Sequence, residues 1–442
     1  MEKLKEYLRL HRDSEIYPSD IANILRELDE SQLKEALKLI PVNIIGHVAL
    51  ELPDRFFDDI VNSLSVDELT LAIKELESDD QVEFIQELSQ IDSAKALEVF
   101  KHLDKQDQLD IQKLLSYEEH EAGAYMQTEV FTAKEHEVVQ DAIDRFSKLK
   151  REGKIENVHT VFITTEDNRL LYGIDLDDIL TFDFKKTFYE NIKERDENFE
   201  PIRAYDKEDI ANVVEYFKQY DLSAIPVVNS KGVLVGRITS DDIYDIINEQ
   251  ATEQMYNLAG VDDEAEEDED VVKATKTRAN WLGINLFTAI LASFVIGIFQ
   301  DTIDSMVALA VLMPIVASMG GNAGTQTLTV VVRQLALGDI SQSDAKRIIK
   351  KEVAISLLNG FLFAIIMGII AYIWFDKGML GVVIGLSMII NLFMAGFFGS
   401  VIPLFLKRIG VDPAIGSTVI LTTVTDVVGF FSFLGLASLI LL

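Results

Sequence analysis

The chain has 442 residues, no cysteine and a formal net charge of −33. The length suits two to four domains, and the lack of cysteine excludes disulfides, thiolate metal sites and cysteine nucleophiles. The acidic excess repels nucleic acid and attracts cations, so we expect no nucleic-acid partner. The charge is uneven, because residues 279–442 hold 8 bases and 8 acids whereas residues 1–278 hold 32 bases and 65 acids. An apolar, neutral half therefore follows a strongly acidic half.

Residues 1–125 are predicted to form an all-α superhelical domain. Apolar residues recur at spacings of three and four, as in Ile21, Ile24, Leu25 and Leu28. Short helical stretches end at Pro or Asp-rich turns. A turn followed by an acidic helix recurs loosely in SVDELTLAIKEL, DDQVEFIQEL and DKQDQLDIQKL. Stacked short helices of this kind build a curved array around a shared core. Most of their acids are interpreted as a solvated face.

Residues 126–245 show a different pattern, in which two strands joined by a turn precede a helix, and this unit occurs twice. The second copy contains AIPVV followed by GRITSDDI, and it resembles the second of a pair of CBS domains. The first copy, with VHTVFIT and GIDLDDI, is degenerate but aligned. We therefore predict an α/β tandem CBS pair. Its predicted strands are Val158–Thr164, Leu170–Gly173, Ala224–Val228 and Val233–Ile238, and its predicted helices are Asp175–Leu180, Ile210–Gln219 and Ser240–Asn248.

Residues 246–278 are predicted to be a connecting helix that runs into an acidic linker, AGVDDEAEEDEDVVK. Residues 279–442 then contain five apolar stretches, each long enough to cross a lipid bilayer. We place these spans near 281–300, 306–332, 353–375, 379–405 and 414–442. Lys and Arg cluster in alternate connections, so the positive-inside rule predicts a cytoplasmic N-terminus and an external C-terminus. No apolar signal-peptide region precedes the acidic half. We expect a multi-pass protein of the plasma (inner) membrane.

The last span carries one charge, Asp426, near its middle. A carboxylate at bilayer depth costs about 2.5–3.5 kcal/mol on insertion scales, and intramembrane acids are functional by default. Thr418, Thr422, Asp426 and Gly429 lie at spacings of four, four and three, so they share one helix face. We interpret this face as the lining of a cation pathway with Asp426 and Thr422 as ligands. The alternative is a buried, protonated Asp bonded to a neighbouring helix.

The second span contains MPIVASMGGNAGTQT. Pro314 and the glycines at 320, 321 and 324 are expected to break or loosen this helix, which a membrane tolerates only where protein or water satisfies the backbone. Asn322 offers a neutral oxygen, and a hydrated hard cation needs few carboxylates and several neutral oxygens. We therefore add Asn322 to the predicted pathway. The alternative is that these small residues form a helix-packing motif.

The order of these features resembles the MgtE family of magnesium channels or transporters. The resemblance covers nearly the whole chain, and PxxxxxGGNxGTQ and TTxTDxxGF are its most specific motifs. It implies a homodimer in the lipid bilayer with the pore between two copies of the last helix. It also implies that the connecting helix acts as a plug, and that cytoplasmic Mg²⁺ draws the acidic domains together and closes the pore.

The resemblance also implies regulatory Mg²⁺ ligands in the acidic half. Gln250 and Gln254 stand where the family has carboxylates, so we expect a shallower response to Mg²⁺, or one shifted to higher concentration. The positions that we assign as regulatory metal ligands are Asp59, Asp92, Asp209, Asp221, Asp242, Asp245 and Glu253.

CBS pairs often bind ATP or another adenine nucleotide. Thr239 and Asp242 keep the hydroxyl-x-x-Asp spacing that such sites use, whereas Asp175 replaces the hydroxyl in the first copy and disfavours phosphate. The chain shows no P-loop or nucleophile motif, so we expect no enzyme. The favoured function is a channel that moves Mg²⁺ into the cytoplasm and is closed by it. The alternative is a membrane-anchored sensor of divalent cations or nucleotides that transports nothing. The sequence does not distinguish Mg²⁺ from Mn²⁺, Co²⁺ or Ni²⁺.

Overall fold

A computed structural model describes residues 1–11, 16–153, 155, 157–261, 271–337, 340 and 342–442 of the chain. Most of the predicted acidic linker, residues 262–270, lies outside the described residues. The chain folds as two compact units, Met1–Asn248 and Glu249–Leu442.

The first unit begins with short helices, which confirms the all-helical prediction for the N-terminal domain. Side chains cap several of them: Asp29 accepts a hydrogen bond from the N–H of Gln32, and Ser65 forms a capping box with Glu68. Such caps satisfy backbone N–H groups that have no partner inside a short helix. The helices in the described residues are α1 (Glu2–Leu10), α2 (Pro18–Leu25), α3 (Glu30–Leu37), α4 (Val42–Leu50), α5 (Asp54–Ser63), α6 (Val66–Lys74), α7 (Ser78–Ile91), α8 (Ser93–His102) and α9 (Lys105–Leu114).

Two small sheets with the same topology follow, as the CBS prediction requires. In each, the first strand is parallel to the second and the second is antiparallel to the third, with an irregularity near the end of the second strand. The first copy comprises β1 (Thr132–Lys134), α10 (Val139–Arg151), β2 (Thr160–Thr164), β3 (Leu170–Asp175), α11 (Leu176–Ile179) and α12 (Phe188–Lys193). The second comprises β4 (Ala204–Tyr205), α13 (Ile210–Tyr220), β5 (Ala224–Val228), β6 (Leu234–Thr239) and α14 (Ser240–Ala259).

The helical domain shares its hydrophobic core with the second CBS copy rather than with the first copy, which follows it in the sequence. The first CBS copy has its own core, which includes Ile163 and Phe188. The second copy instead shares one continuous core with the helical domain, in which Leu114, Ile238 and Ile243 are all buried. Lys113 Nζ also donates a hydrogen bond to the backbone O of Val235 at 2.9 Å. The helical domain and the second CBS copy are therefore packed as one body.

The second unit contains, among the described residues, five helices that are long and apolar enough to cross a membrane. Each overlaps one of the predicted spans. Their outward faces carry many large apolar side chains, such as Phe287 on the first and Trp374 on the third, as expected for contact with lipid. The helices of this unit are α15 (Val271–Ile298), the short α16 (Gln300–Ser305), α17 (Ala308–Ala336), α18 (Ala345–Phe375), α19 (Gly378–Arg408) and α20 (Ser417–Ile440).

The prediction of a broken second span is wrong. Helix α17 is continuous from Ala308 to Ala336 even though it contains Pro314. The glycines instead permit close approach between helices. A Cβ atom on Gly324 would lie 3.0 Å from the side chain of Leu421 in α20, and one on Gly320 would overlap Asn391 in α19. This packing holds the helix regular where its composition suggested a break.

Gly236 in β6 provides a test of the shared core. An added Cβ atom would lie 2.7 Å from the backbone O of Gln127 and 2.7 Å from Sδ of Met126. We expect Gly236→Ala to destabilise the first unit by about 1–3 kcal/mol through overpacking. The measurement is urea unfolding of the purified full-length chain, followed by circular dichroism. Lys231→Ala, in the exposed turn before β6, is the control, and equal midpoints for the two variants would contradict this packing.

Candidate functional site

Helix α20 has one closely packed side and one more open side. Thr425 and Phe433 are fully buried, and Gly429 is buried as well. Asp426 and Thr422 are only partly buried. The predicted polar face is therefore divided, because Gly429 packs against Asn391 whereas Asp426 keeps part of its surface open. Asp426 is the one ionisable residue of this helix.

The threonine hydroxyls beside Asp426 give their protons to backbone carbonyls. Thr422 Oγ1 donates to the backbone O of Thr418 at 2.9 Å and to that of Val419 at 3.1 Å. A hydroxyl that donates to its own helix keeps its lone pairs free to accept. Thr422 thus offers oxygen lone pairs one turn before the carboxylate, which is the ligand chemistry of a hard cation.

Asn322 lies on the exposed surface of α17, where its Nδ2 is 3.4 Å from the hydroxyl of Ser318. Its neighbour Gly324 is buried against Leu421 of α20. Helices α17 and α20 are therefore in direct contact within one turn of Asn322. The structure brings the two helices together, and both predicted ligands, Asn322 and Asp426, keep exposed surface.

The end of the connecting helix packs onto the start of α20. Leu258 contacts a cluster that includes Leu328 and Leu421, and Thr418 Oγ1 donates to the backbone O of Leu258 at 2.7 Å. Trp281 of α15 lies beside both Gly260 and Gly416. The hydroxyl of Thr418, which lies on the predicted pathway face, is therefore hydrogen-bonded to the end of α14.

The acidic half contains a partly buried cluster of carboxylates, Glu77, Asp79, Asp80, Glu129 and Asp242. They come from the start of α7, the segment before β1 and the start of α14. Ser78 joins two of these elements, because its hydroxyl donates to Glu129 at 2.9 Å and accepts from the N–H of Thr128 at 2.8 Å. The side chains of the helical domain and of the second CBS copy thus meet at this cluster.

Burial and mutual repulsion raise the pKa of four of these carboxyls, those of Glu77, Asp79, Asp80 and Asp242. Burial raises the pKa of Glu77 to about 7, and the charges of Glu129 and Asp242 act in the same direction. The pKa of Asp80 is raised to about 7 by burial and by the charges of Glu83 and Glu77. For Asp79, burial raises the pKa well above its usual range, and Asp242 adds to this effect. The cluster therefore resists carrying its full negative charge.

Arg237 is the buried cation beside this cluster, with 3 % of its surface exposed. Its Nη2 lies 3.6 Å from Glu77 Oε1, and its Nε donates to Gln127 Oε1 at 3.1 Å. The guanidinium also donates to the backbone O of Asn157 at 3.1 Å. Its charge lowers the pKa of Glu77, but burial outweighs that effect. Arg237 therefore offsets the unfavourable burial of the Glu77 carboxylate only in part.

Two predicted regulatory ligands lie at or near this cluster. Burial raises the pKa of Asp242 to about 6, against the opposing effect of hydrogen bonds from the hydroxyl and the N–H of Thr239. Asp245 is exposed one turn later, and partial burial followed by the charges of Glu51 and Asp241 raises its pKa. Thr239, the predicted nucleotide contact, is 4 % exposed and bonded to Asp242, so its hydroxyl does not line an open site.

Other predicted ligands stand at helix ends. Asp92 accepts from the N–H groups of Ala94 and Lys95, both at 3.0 Å, at the start of α8. Asp209 caps α13 through the N–H of Ala211, and Asp221 ends α13 in a left-handed conformation with φ 49°. These contacts give the carboxylates of Asp92 and Asp209 a capping role, whereas for Asp221 only the backbone has such a role. They do not join the cluster at Asp242.

Asp59 and Glu253 complete the predicted set. Asp59 lies partly buried in α5. Glu253 is partly buried in the second half of α14, and its Oε1 accepts from Asn257 Nδ2 at 3.3 Å. Gln250 and Gln254 are partly buried on the same helix.

Sequence reasoning missed the four acids of the cluster that lie outside α14: Glu77, Asp79, Asp80 and Glu129. The stretch ESDDQVEF was interpreted as a turn and a helix start, where acids are common. The available signal was the density of three acids within four residues. The burial of Ser78 at 1 % exposure marks this helix start as an internal contact rather than a solvated end.

A cavity of about 450 Å³ lies between the two CBS copies. Tyr220, Asp221 and Ser223 line it from the second copy, and Thr160 and Asp175 from the first. The hydroxyl of Thr160 donates to Asp175 at 2.6 Å. The wall supplied by the first copy therefore presents a carboxylate, as the sequence predicted.

The raised pKa values predict a pH dependence. Glu77 and Asp80 have ordinary pKa values near 4 when unfolded and raised pKa values of about 7 in the folded unit. Between these values the folded state binds more protons, so its stability falls as pH rises from about 4 to about 7 and levels off above that. We expect a lower urea midpoint at about pH 8 than at about pH 6 in chelator-treated protein. Glu77→Gln with Asp80→Asn should flatten this difference, and a midpoint that rises with pH would contradict the effect.

Comparisons with known proteins match most of the chain. Family models match at residues 313–436 (MgtE, divalent cation transporter), 16–120 (MgtE intracellular N domain), and 122–184 and 198–249 (CBS domain). The chain is 30 % identical to the magnesium transporter MgtE of Bacillus subtilis, over 96 % of this chain and 92 % of the relative. It is 32 % identical to the magnesium transporter MgtE of Enterococcus faecalis, over 74 % and 71 % respectively.

A crystal structure of the cytosolic domain of the Mg²⁺ channel MgtE in complex with ATP also aligns, with 26 % identity and a TM-score of 0.48. The alignment covers 52 % of this chain and 91 % of that structure. The fold, the five membrane helices and the two curated relatives agree, and the chain belongs to the MgtE family of divalent cation transporters.

Proposed function

We propose that the chain carries Mg²⁺ into the cytoplasm through a pathway lined by Asp426, Thr422 and Asn322. The observation that carries this proposal is the carboxylate of Asp426, which keeps open surface midway along an otherwise uncharged membrane helix. A carboxylate with neutral oxygens nearby suits Mg²⁺, which keeps several of its waters and binds through one or two carboxylates. Both curated relatives are named as magnesium transporters, which supports the choice of ion.

The pathway is proposed to lie between two copies of α20 in a homodimer. One copy supplies a single carboxylate and a partly open helix face, and a two-fold axis beside Asp426 would pair it with the same residue of the second copy. Two carboxylates would then balance the charge of one divalent cation. Downhill entry suffices as a driving force, because two charges gain about 4.6 kcal/mol per 100 mV of membrane potential.

The proposed location is the plasma membrane, with the N-terminus in the cytoplasm and the C-terminus outside. Five spans put the two ends of the membrane unit on opposite sides, and the alternating Lys and Arg connections favour this orientation. The acidic half then faces the cytosol.

Asp426→Asn tests the proposed pathway. Removing one charge from each copy should abolish Mg²⁺ flux into proteoliposomes, or reduce it at least about tenfold, because the cation loses its charged ligands. Asp376→Asn is the control, since Asp376 lies in the turn between α18 and α19 in a left-handed conformation that Asn also adopts. Wild-type flux through Asp426→Asn would contradict the electrostatic role. It would favour the alternative, a membrane-anchored sensor.

We further propose that cytoplasmic Mg²⁺ closes the pathway through the carboxylate cluster. Among the described residues, no three acidic or histidine side chains converge as a preformed metal site. The cluster still suits a hydrated Mg²⁺, which needs one or two direct carboxylates. Oδ1 of Asp79 is buried and, among the described residues, has no hydrogen-bond partner, so this oxygen is available as a ligand.

In this proposal, the carboxylates of the cluster couple Mg²⁺ binding to the packing of the helical domain on the second CBS copy. Carboxylates of α7 and of α14 face each other, and their repulsion opposes the packing of the helical domain on the second CBS copy. A divalent cation between them would remove that repulsion. The cation would favour the packed state by as much as its binding free energy there exceeds that for the separated state. Asp242 stands in the first turn of α14, whose last residues contact α20 through Leu258.

Asp80→Asn tests this gating. The neutral amide removes repulsion, so we expect a more stable first unit without Mg²⁺ and a smaller stabilisation when Mg²⁺ is added. Flux should then become less sensitive to Mg²⁺ on the cytoplasmic face, and Asp242→Asn should act in the same direction. Asp67→Asn, on the exposed first turn of α6, is the control. An unchanged inhibition curve for both cluster variants would exclude the cluster as the sensor.

A nucleotide at the CBS pair is a secondary proposal, favoured by the cavity of about 450 Å³ between the two copies. Tyr220 could stack on a base and Ser223 could bind a hydroxyl. The carboxylates of Asp175, Asp177 and Asp221 on its wall disfavour phosphate. We therefore assign an adenine nucleotide to this cavity, rather than to Thr239, with its phosphates directed away from these acids.

A further inference from the structure

Asn391 is a polar side chain in the middle of the membrane unit that the proposed pathway does not use. It lies in α19 and is 0 % exposed. Its Nδ2 donates a hydrogen bond to the backbone O of Val316 in α17 at 2.8 Å. Its Oδ1 is buried and has no hydrogen-bond partner within the described part of the chain.

Two glycines make room for the Asn391 amide, one on each neighbouring helix. A Cβ atom on Gly320 of α17 would overlap the amide, and one on Gly429 of α20 would lie 2.8 Å from Nδ2. Three helices therefore meet at this one side chain, and any larger residue at either glycine would displace it.

The position of these contacts connects them to the proposed pathway. Gly429 is three residues after Asp426, so the two lie on adjacent turns of α20. Gly320 is two residues before Asn322 in α17. The amide of Asn391 thus contacts both helices that carry the proposed ligands, within one turn of each ligand.

Filling space alone does not account for an asparagine here. Leucine has a similar size and would leave no buried acceptor without a partner, which costs about 1–3 kcal/mol. Residues that break a local rule of stability are expected where function requires it. The amide contributes what leucine lacks, a directional bond to one carbonyl of α17.

We propose that Asn391 is a positioning residue for the ion pathway. Its bond to Val316 and its fit between Gly320 and Gly429 set the separation and rotation of α17 and α20. They thereby set where Asn322 and Asp426 stand. This inference rests on the proposed pathway, and Asn391 acts through those two residues without touching the ion.

The test compares Asn391→Leu with Ser387→Ala in proteoliposomes, over a range of external Mg²⁺ and with Ca²⁺ as competitor. Ser387 is also fully buried, one turn earlier on α19, but its hydroxyl donates to Ile384 of its own helix at 2.9 Å. Asn391→Leu should shift the half-saturating Mg²⁺ concentration by about threefold or more and weaken discrimination against Ca²⁺. Ser387→Ala should change neither quantity. A purely structural role would change the yield of folded protein, but not these two quantities.

A double variant, in which one residue of the contact is enlarged and the other is made smaller, distinguishes the effect of the hydrogen bond to Val316 from that of side-chain packing. Gly320→Ala alone should lower stability, since its Cβ overlaps the amide, and Asn391→Ala in the same chain should restore it by making room. We expect the double variant to recover thermal stability but to keep the altered half-saturation, because the bond to Val316 is still missing. This variant also provides the measurement if Asn391→Leu does not fold.

Two results would overturn the inference: a wild-type half-saturation and selectivity in Asn391→Leu, or recovery of both by the double variant. Asp426→Asn, measured in the same series, separates the two proposals. If it is inactive while Asn391→Leu behaves as the wild type, only the role of Asn391 fails. If Asp426→Asn conducts normally, the proposed pathway fails, and the inference about Asn391 fails with it.

Discussion

Removing a carboxylate from water is the constraint on which both halves of this protein depend. An ionised group in a low-dielectric environment is unfavourable unless a cation, a donor or a proton compensates it. In the membrane unit this concerns Asp426 and also Glu352 of α18, which is 5 % exposed and whose Oε1 lies 3.5 Å from Lys351 Nζ. In the acidic half it concerns the cluster of Glu77, Asp79, Asp80, Glu129 and Asp242, where Arg237 compensates only in part and the pKa of Glu77 is about 7. At both places a cation would compensate the buried charge, and the family model that matches the membrane unit is that of a divalent cation transporter.

Because the helical domain and the second CBS copy share one core, the carboxylate cluster between them affects how stably they pack together. Apolar burial around Leu114, Ile238 and Ile243 favours contact between the two, whereas the facing carboxylates oppose it. The net free energy of this packing is the difference between these two opposing terms. In the proposed gating, a bound cation shifts this balance by the difference between its binding free energies for the packed and the separated states.

Periodicity and turn residues were enough to predict many of the elements, because these signals are local, but β1, β4, α10 and α12 were not predicted. Strand β5 was predicted at Ala224–Val228, as observed, and every predicted span overlaps a membrane helix. Two features depend on distant packing and escaped prediction. Helix α17 stays regular because Asn391 and Leu421 fill the space beside its glycines. The cluster at Glu77 forms because α7 packs near residues about 50 and about 160 positions later in the chain, and no periodic pattern encodes such contacts.

The residues of the candidate site differ in the same way: some can be identified from the sequence alone, and others only from their packing. Asp426 could be chosen from the sequence because a charge inside an apolar span is anomalous without reference to any other residue. Asn391 is also polar and lies inside a span, but neutral amides are less anomalous there and its neighbours were unknown. Its importance became visible only from the packing, in which its amide lies between Gly320 and Gly429. A pathway for a small hydrated cation requires its ligands to be held to within a fraction of an ångström. In the proposed pathway, the side chains of Asp426 and Asn322 are too flexible to provide that precision themselves. Under our proposal it comes from the buried contacts between α17, α19 and α20, which meet at the Asn391 amide.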